Sequence, residues 1–157
     1  MIFNNFKNIL LTGATGNTSY FFLKKLEKEN FNEIITVITR YESKNSYFDQ
    51  FKLKFRIFNG NINDKNFLSK CLDNIDLVLH TANIENSRNL VEVGNEKKVK
   101  WFILVHSTMV YSKHSSPRIE NRRNIEKDIL EKNSNITILS SSMIYGTSRD
   151  INMSRLI

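Results

Sequence analysis

The sequence lacks several features that whole classes of protein require. Cys71 is the only cysteine among the 157 residues, so a disulfide within the chain is excluded. No apolar run approaches the roughly 20 residues that a membrane-spanning helix needs. The amino terminus has neither a basic region ahead of its apolar residues nor a small-residue cleavage site, as a secretory signal would. These absences predict a cytoplasmic protein that does not span a membrane.

Groups that ligate metals or act as nucleophiles are also sparse. The three histidines, His80, His106 and His114, have no cysteine or carboxylate partners at the spacing of a metal site, so we predict no metal. His80 and His106 end two predicted strands, where hydrogen-bonded scaffold histidines are more common than catalytic ones, and His114 is expected to be solvated. Cys71 lies in an apolar helical pattern and is expected to pack as a small hydrophobic residue.

The charge of the chain is positive but not concentrated. With 23 basic and 16 acidic residues, the net charge is +7, which is typical of proteins that bind nucleic acid. The basic residues are spread along the sequence among acidic ones, and no alternation of basic and aromatic residues marks a stacking surface. We therefore expect solvated helix faces, with cofactor phosphates as a second use of the positive charge, rather than a nucleic-acid partner.

What the sequence does contain is a regular alternation of strand-like and helical patterns. Its length and its hydrophobic fraction of 40% suit one domain over residues 1–157. Strands are predicted at 7–12, 33–39, 51–58, 75–80, 101–106 and 136–139. Helices are predicted at 17–30, 64–72, 85–98 and 119–133, whereas 41–50 is either a loop or a short helix. Asp64 is the expected N-cap of the second helix, and Ile125, Ile129 and Leu130 are expected to point inward from the last. Strand 101–106 is expected to be one of the most buried segments, and a short helical tail is expected after residue 146. This alternation predicts an α/β fold with a doubly wound parallel sheet in the order 3-2-1-4-5-6.

A glycine-containing turn follows the first predicted strand. Residues 12–18 read TGATGNT and lead from that strand directly into a helical pattern. Glycines let a backbone approach a pyrophosphate closely, and a helix start offers unpaired N–H groups to it. Taken alone, the turn fits a tight strand–helix connection without a ligand about equally well, but its place at the first strand favours a nucleotide.

Four further stretches accompany this turn in a fixed order. Together the five are TGATG at 12–16, GNIND at 60–64, DLVLHTA at 76–82, VHSTMVY at 105–111 and ILSSSMIYG at 138–146. They resemble the extended and atypical short-chain dehydrogenase/reductases, which include NAD(P)-dependent sugar-nucleotide epimerases and dehydratases and NmrA-like proteins. The resemblance implies a Rossmann-type domain with a dinucleotide across the carboxyl ends of its strands. Such relatives continue into a substrate region that this sequence lacks, so a shortened chain is expected.

The resemblance also implies which residues contact the dinucleotide. The glycine turn would hold the pyrophosphate, the residues after the third strand would border the adenine, and those after the fourth would line the ribose side. In that order the residues are Gly13, Ala14, Thr15, Gly16, Asn17 and Thr18; Asn61 and Ile62; and Thr81, Ala82 and Asn83. Asn61 stands where the family has aspartate, and its side-chain amide still permits a hydrogen bond to adenine. Ser19 stands where the family has its third glycine, and because serine is small we expect a slight widening of the site rather than its loss.

Arg40 decides the cofactor that we predict. NAD enzymes of this fold place an acidic residue at the end of the second strand, whereas a basic residue there suits the 2′-phosphate of NADP. Arg40 ends that strand, and no acidic residue appears before Glu42. A guanidinium offers paired donors to a phosphate, so we expect NADP in preference to NAD, although an exposed arginine at a strand end is also common.

The residues for catalysis are less complete. The family's chemistry normally uses a Tyr-x-x-x-Lys pair on the helix after the fifth strand, with a serine nearby. Ser107 matches that serine and is the candidate catalytic residue, but the pair falls near Arg118 and Arg122, and residues 112–122 contain no tyrosine. Two functions therefore stay open. One is an NADP-dependent oxidoreductase, epimerase or dehydratase acting on a sugar nucleotide or a small carbonyl compound. The other is a non-catalytic NADP(H)-binding redox sensor, and a homo-oligomer is compatible with both.

Overall fold

The sheet has the predicted strand order. The computed structural model describes residues 6–133, 135–142 and 144. Its six strands form one sheet in the order β3-β2-β1-β4-β5-β6, and all neighbours pair in parallel. The strands are β1 (Ile9–Thr12), β2 (Ile34–Thr39), β3 (Lys54–Asn59), β4 (Leu77–His80), β5 (Trp101–Ser107) and β6 (Ile136–Ser141). The strand order reverses between β1 and β4, which is where doubly wound sheets bind ligands.

Helices connect the strands on both faces of the sheet. The α-helices are α1 (Asn17–Lys28), α2 (Lys65–Cys71), α3 (Ser87–Glu96) and α4 (Pro117–Lys132). The stretch that the sequence left ambiguous is a 3₁₀ helix, Glu42–Gln50, and shorter 3₁₀ turns lie at Ile84–Asn86 and Thr108–Tyr111. Asp64 caps α2 as predicted, because its carboxylate accepts hydrogen bonds from the amides of Asn66 and Phe67.

Each face of the sheet has its own apolar core. Successive residues of a strand point to opposite faces, so Leu10 packs in one core and Leu11 in the other. The first core contains apolar residues of α2, α3 and α4, and the second contains those of α1 and the long 3₁₀ helix. β1 is buried along its whole length, as expected of a central parallel strand.

Two expectations about burial are wrong. Leu130 was expected to point inward from α4, yet it is 49% exposed. The buried stripe of α4 is instead formed by Ile125 and Ile129 together with two charged residues. Trp101 belongs to a segment expected to be among the most buried, but it is 39% exposed at the start of β5, and the strand residues on its side of the sheet are only partly buried.

Some expectations fall outside the described residues or concern single groups. The end of the ILSSSMIYG stretch at 145–146 and the helical tail predicted beyond it lie outside the described residues. Cys71 is buried as predicted, and burial raises the pKa of its thiol to about 12. No helix in the described part of the chain has the length and apolar character needed to cross a membrane.

Candidate functional site

Gly13 brings two parts of the predicted site into direct contact. Its φ of +67° lies in the left-handed region, which side-chain-bearing residues rarely adopt. A Cβ on Gly13 would lie 2.7 Å from the Thr81 hydroxyl oxygen and 2.8 Å from the Ala82 amide nitrogen. Only glycine therefore lets the turn after β1 lie against the segment after β4.

The start of α1 presents free N–H groups beside this turn. The Gly16 amide donates to the Gly13 carbonyl over 2.9 Å, and the Tyr20 amide donates to the Gly16 carbonyl over 3.0 Å. The three amides before Tyr20 have no acceptor within the helix, and Gly16 has no side chain with which to cap them. This helix end carries a partial positive charge and can donate hydrogen bonds to a phosphate.

Asn17, the first residue of α1, has an unsatisfied group at the same place. Its Oδ1 is buried and has no hydrogen-bond partner among the described residues. Such an acceptor needs a donor, which a hydroxyl of a bound molecule or a water can provide. Of the other predicted pyrophosphate residues, Ala14 is buried, Thr15 is exposed and Thr18 is half-buried.

Ser19 is held by a hydroxyl of the neighbouring segment. It is fully buried, and its hydroxyl lies 2.7 Å from that of Thr81. The Thr81 hydroxyl donates to the Thr12 carbonyl over 2.8 Å, so the Ser19 hydroxyl is the donor to Thr81. The serine in the third-glycine position thus ties α1 to the segment after β4.

His80 fixes the loop that carries Thr81, Ala82 and Asn83. Its Nε2 donates to the Asn83 carbonyl over 3.1 Å, so its Nδ1 accepts from the Thr12 hydroxyl over 2.6 Å. Burial lowers the pKa of His80 to about 4, which keeps the ring neutral. The histidine is a hydrogen-bonded part of the scaffold, in line with the sequence-based expectation.

The ends of β2 and β3 hold the predicted adenosine residues. Arg40 is exposed and makes no ion pair with any side chain that the structure describes. Asn61 is exposed as well, and its Oδ1 accepts from the Asn63 amide over 3.0 Å, which leaves its Nδ2 available as a donor. Ile62 packs against the core of the sheet. Because the strands are parallel, these residues lie at the same edge as the glycine turn.

Ser107 ends β5 at that edge. Its Oγ accepts a hydrogen bond from the Met109 amide over 3.3 Å, so the Ser107 side chain caps the start of the following 3₁₀ turn. The adjacent His106 is buried and bonds Glu126 on α4 through Nδ1 and Ser87 on α3 through Nε2, over 2.9 and 3.3 Å. Burial lowers the pKa of His106 to about 4, so this ring too is a neutral scaffold group.

Two arginines of α4 lie near the positions where the resemblance to short-chain dehydrogenase/reductases predicts a tyrosine and a lysine. Arg122 is 9% exposed, and its Nε donates to Glu85 over 3.3 Å, whereas Arg118 is exposed. Burial would raise the pKa of Glu85, but its hydrogen bonds and the two guanidinium charges hold it below its usual value. A guanidinium stays protonated near neutral pH, so neither arginine can exchange a proton as tyrosine does.

Comparison with known proteins decides the family. A family model described as NAD(P)H-binding matches residues 13–145, which is most of the chain. The chain belongs to this NAD(P)H-binding family. The match begins at Gly13, the glycine that brings the turn against Thr81.

Three proteins to which this chain is similar are longer than it is. The uncharacterized membrane protein MJ1061 of Methanocaldococcus jannaschii is 27% identical, over 63% of this chain and 35% of its own. The NADPH-dependent quinone oxidoreductase QOR2 of Escherichia coli matches with a TM-score of 0.68 and 19% identity, over 85% of this chain and 46% of its own. UDP-glucose 4-epimerase of Bifidobacterium longum, solved with NAD+ and UDP, matches with a TM-score of 0.69 and 16% identity, over 85% of this chain and 52% of its own. The chain spans about half the length of these two structures, and at such identities the likeness shows the fold alone.

The residues of this NAD(P)H-binding chain fit a dinucleotide. The free helix start, the buried Asn17 oxygen and the glycine-dependent contact at Gly13 lie together at the carboxyl edge of the sheet. Contacts that sequence reasoning missed are those of Ser19 with Thr81 and of Glu85 with Arg122. They join residues far apart in the chain, so no local pattern signals them. The described part of the chain contains no group of three His, Cys, Asp or Glu residues that could hold a metal ion.

Proposed function

We propose that this chain is a single domain that binds NADP(H) and acts as an NADP(H)-dependent oxidoreductase or epimerase. The observation that carries the proposal is the uncapped start of α1, held against the segment after β4 by the turn at Gly13. Helix starts of this kind bind the pyrophosphate of dinucleotides in doubly wound folds. Residues 13–18 would therefore hold the pyrophosphate.

The remaining contacts follow from the other strand ends. Arg40 would pair with the 2′-phosphate, since its guanidinium is exposed and free of the carboxylates that the structure describes. Asn61 would donate to the adenine through Nδ2, beside Ile62, and the ribose side would be lined by Thr81, Ala82 and Asn83. When bound, NADPH supplies a hydride from its nicotinamide ring. Ser107 would hydrogen-bond the oxygen of a carbonyl compound or of a sugar nucleotide held at the end of β5.

Thr18→Asp tests the pyrophosphate site without weakening the fold. A carboxylate in the first turn of a helix stabilises that helix, but here it would repel a bound pyrophosphate. We expect the NADPH dissociation constant to rise by about tenfold or more, measured by the fluorescence of bound NADPH. The matched control is Asn124→Asp, which adds the same charge on an exposed position of α4 and should bind as the unmodified chain does. Equal affinities for the two variants would contradict the proposed site.

A second function is favoured by the two arginines on α4. Arg118 and Arg122 stay protonated near neutral pH, so they cannot supply the proton exchange of a tyrosine–lysine pair. These features support a redox sensor that binds NADP(H) without turnover. Single-turnover oxidation of bound NADPH, with a panel of sugar nucleotides and small carbonyl compounds, separates the two functions. Oxidation that Ser107→Ala slows favours the enzyme, whereas tight binding without oxidation in either protein favours the sensor.

A further inference from the structure

The last paired residues of β2 and β3 are joined by their side chains. Thr39 and Asn59 are register partners at the carboxyl ends of the two strands. The Asn59 Nδ2 donates to the Thr39 Oγ1 over 2.6 Å, beside the backbone bond from the Gly60 amide to the Thr39 carbonyl. The side chain of Asn59 is therefore fixed to the point at which β2 ends.

Asn45 joins the same group from the 3₁₀ helix Glu42–Gln50. The Asn59 Nδ2 donates to the Asn45 Oδ1 over 2.9 Å, and the Asn45 Nδ2 donates back to the Asn59 Oδ1 over 3.3 Å. Both asparagines are half-buried, which shields this amide pair from competition by water. The pair connects the start of the 3₁₀ helix to the end of β3.

Arg40 and Tyr41 connect β2 to the 3₁₀ helix, within the five-residue stretch 40–44 that separates Thr39 from Asn45. Thr39 precedes them and the 3₁₀ helix follows them. The Tyr41 carbonyl accepts from the Lys44 amide over 3.1 Å and from the Thr39 hydroxyl over 3.4 Å, so the backbone of the link is held as well. The guanidinium of Arg40 is exposed, yet the backbone that carries it is fixed at both ends.

We infer that the Asn45–Asn59 amide pair is a positioning device for recognition of the 2′-phosphate, acting through Arg40. This inference rests on the proposed NADP(H) site and adds the residues that set its selectivity. A fixed backbone reduces the conformational freedom that Arg40 must lose when it pairs with a phosphate. NADH has no 2′-phosphate, so loosening the backbone at Arg40 should weaken the binding of NADPH and leave the binding of NADH almost unchanged.

Asn45→Ala tests the inference on the full chain through binding alone. We expect the NADPH dissociation constant to rise by about tenfold, the equivalent of one charge-assisted hydrogen bond, while that of NADH stays within about twofold. In an Arg40→Gln background the same substitution should have no further effect on NADPH, because the partner through which it acts is gone. Asn124→Ala, at an exposed position of α4, is the matched control and should change neither constant.

Thr39→Val provides a second variant that keeps the β-branched shape while it removes the acceptor of Asn59. Thr39→Val should also weaken NADPH binding relative to NADH binding, and it serves as the test if Asn45→Ala does not fold. Equal losses for NADPH and NADH, or an effect that persists in the Arg40→Gln background, would overturn the inference and leave the proposed function standing. Failure of the unmodified chain to bind NADPH would overturn both.

Discussion

Arg40 is the residue on which we expect the choice between NADP and NAD to depend. Replacing it with aspartate reverses the charge that faces the 2′-phosphate. We expect Arg40→Asp to weaken NADPH binding by about 10- to 100-fold and NADH binding far less, because only NADPH carries that phosphate. Parallel titrations with the two cofactors measure the ratio. Arg56→Asp is the matched control. Arg56 is exposed on β3 and lines a pocket with Asn8 and Asn74, near the amino-terminal ends of the strands and away from the proposed site. Unchanged titration curves for Arg40→Asp would contradict the assignment.

The two buried histidines make stability depend on pH. The folded-state pKa of His80 and of His106 is about 4, below the ordinary 6.5, because burial disfavours the charged ring. Between these values the unfolded chain binds more protons, so stability is fully present above pH 6.5 and is lost as the pH falls toward about 4. The expected loss is about 1.4 kcal/mol for each pH unit and each histidine, measured by urea unfolding.

His80→Gln tests this dependence, with Asn124→Gln as its control. Glutamine retains hydrogen-bonding groups but does not titrate, so His80→Gln should reduce the slope of the stability profile by about half and leave the share of His106. Asn124 is exposed on α4, and its replacement should leave the profile as it is. Identical profiles for the unmodified chain and both variants would show that the acid sensitivity arises elsewhere.

At the scale of elements, Gly94 lets α3 approach β5 closely. A Cβ on Gly94 would lie 2.5 Å from the ring of Phe102, which is fully buried in the core. Gly94→Ala should therefore destabilise the chain by about 1–3 kcal/mol, although alanine is the better helix former. Urea unfolding measures the difference. An exposed helix substitution, Asn124→Ala, should be neutral or slightly stabilising, and a Gly94→Ala protein as stable as the unmodified chain would refute this packing.

The elements that were predictable are those with a local signal. The apolar runs of β1 and β4 indicate buried strands, and Asp64 marks the start of α2 through its capping geometry. The 3₁₀ helix 42–50 stayed ambiguous because its residues are mostly polar and have no helical periodicity. Leu130 was misplaced because two charged residues, Arg122 and Glu126, take part in the buried stripe of α4.

The features of the candidate site also divide into those with a local sequence signal and those without one. The turn at 13–18 has a sequence signal because its glycines and its position between strand and helix are both local. The contacts of Ser19 with Thr81 and of Asn45 with Asn59 depend on how α1 and the 3₁₀ helix pack against the strand ends, which brings together residues 62 and 14 positions apart. Those contacts required the three-dimensional structure.

For the whole molecule, fold and family agree on a dinucleotide-binding domain. The sheet order and the switch point between β1 and β4 are those of a doubly wound fold, and residues 13–145 match an NAD(P)H-binding family. The residues that would perform chemistry are less complete, since Arg118 and Arg122 replace a proton-exchanging pair. Binding and catalysis therefore have to be measured separately.

The most direct measurement is a fluorescence titration of the unmodified chain with NADPH and, in parallel, with NADH. We expect NADPH to bind with a dissociation constant about tenfold or more below that of NADH, because Arg40 would pair with the 2′-phosphate and the uncapped start of α1 would hold the pyrophosphate. Binding of neither cofactor, or equal affinity for both, would contradict this expectation.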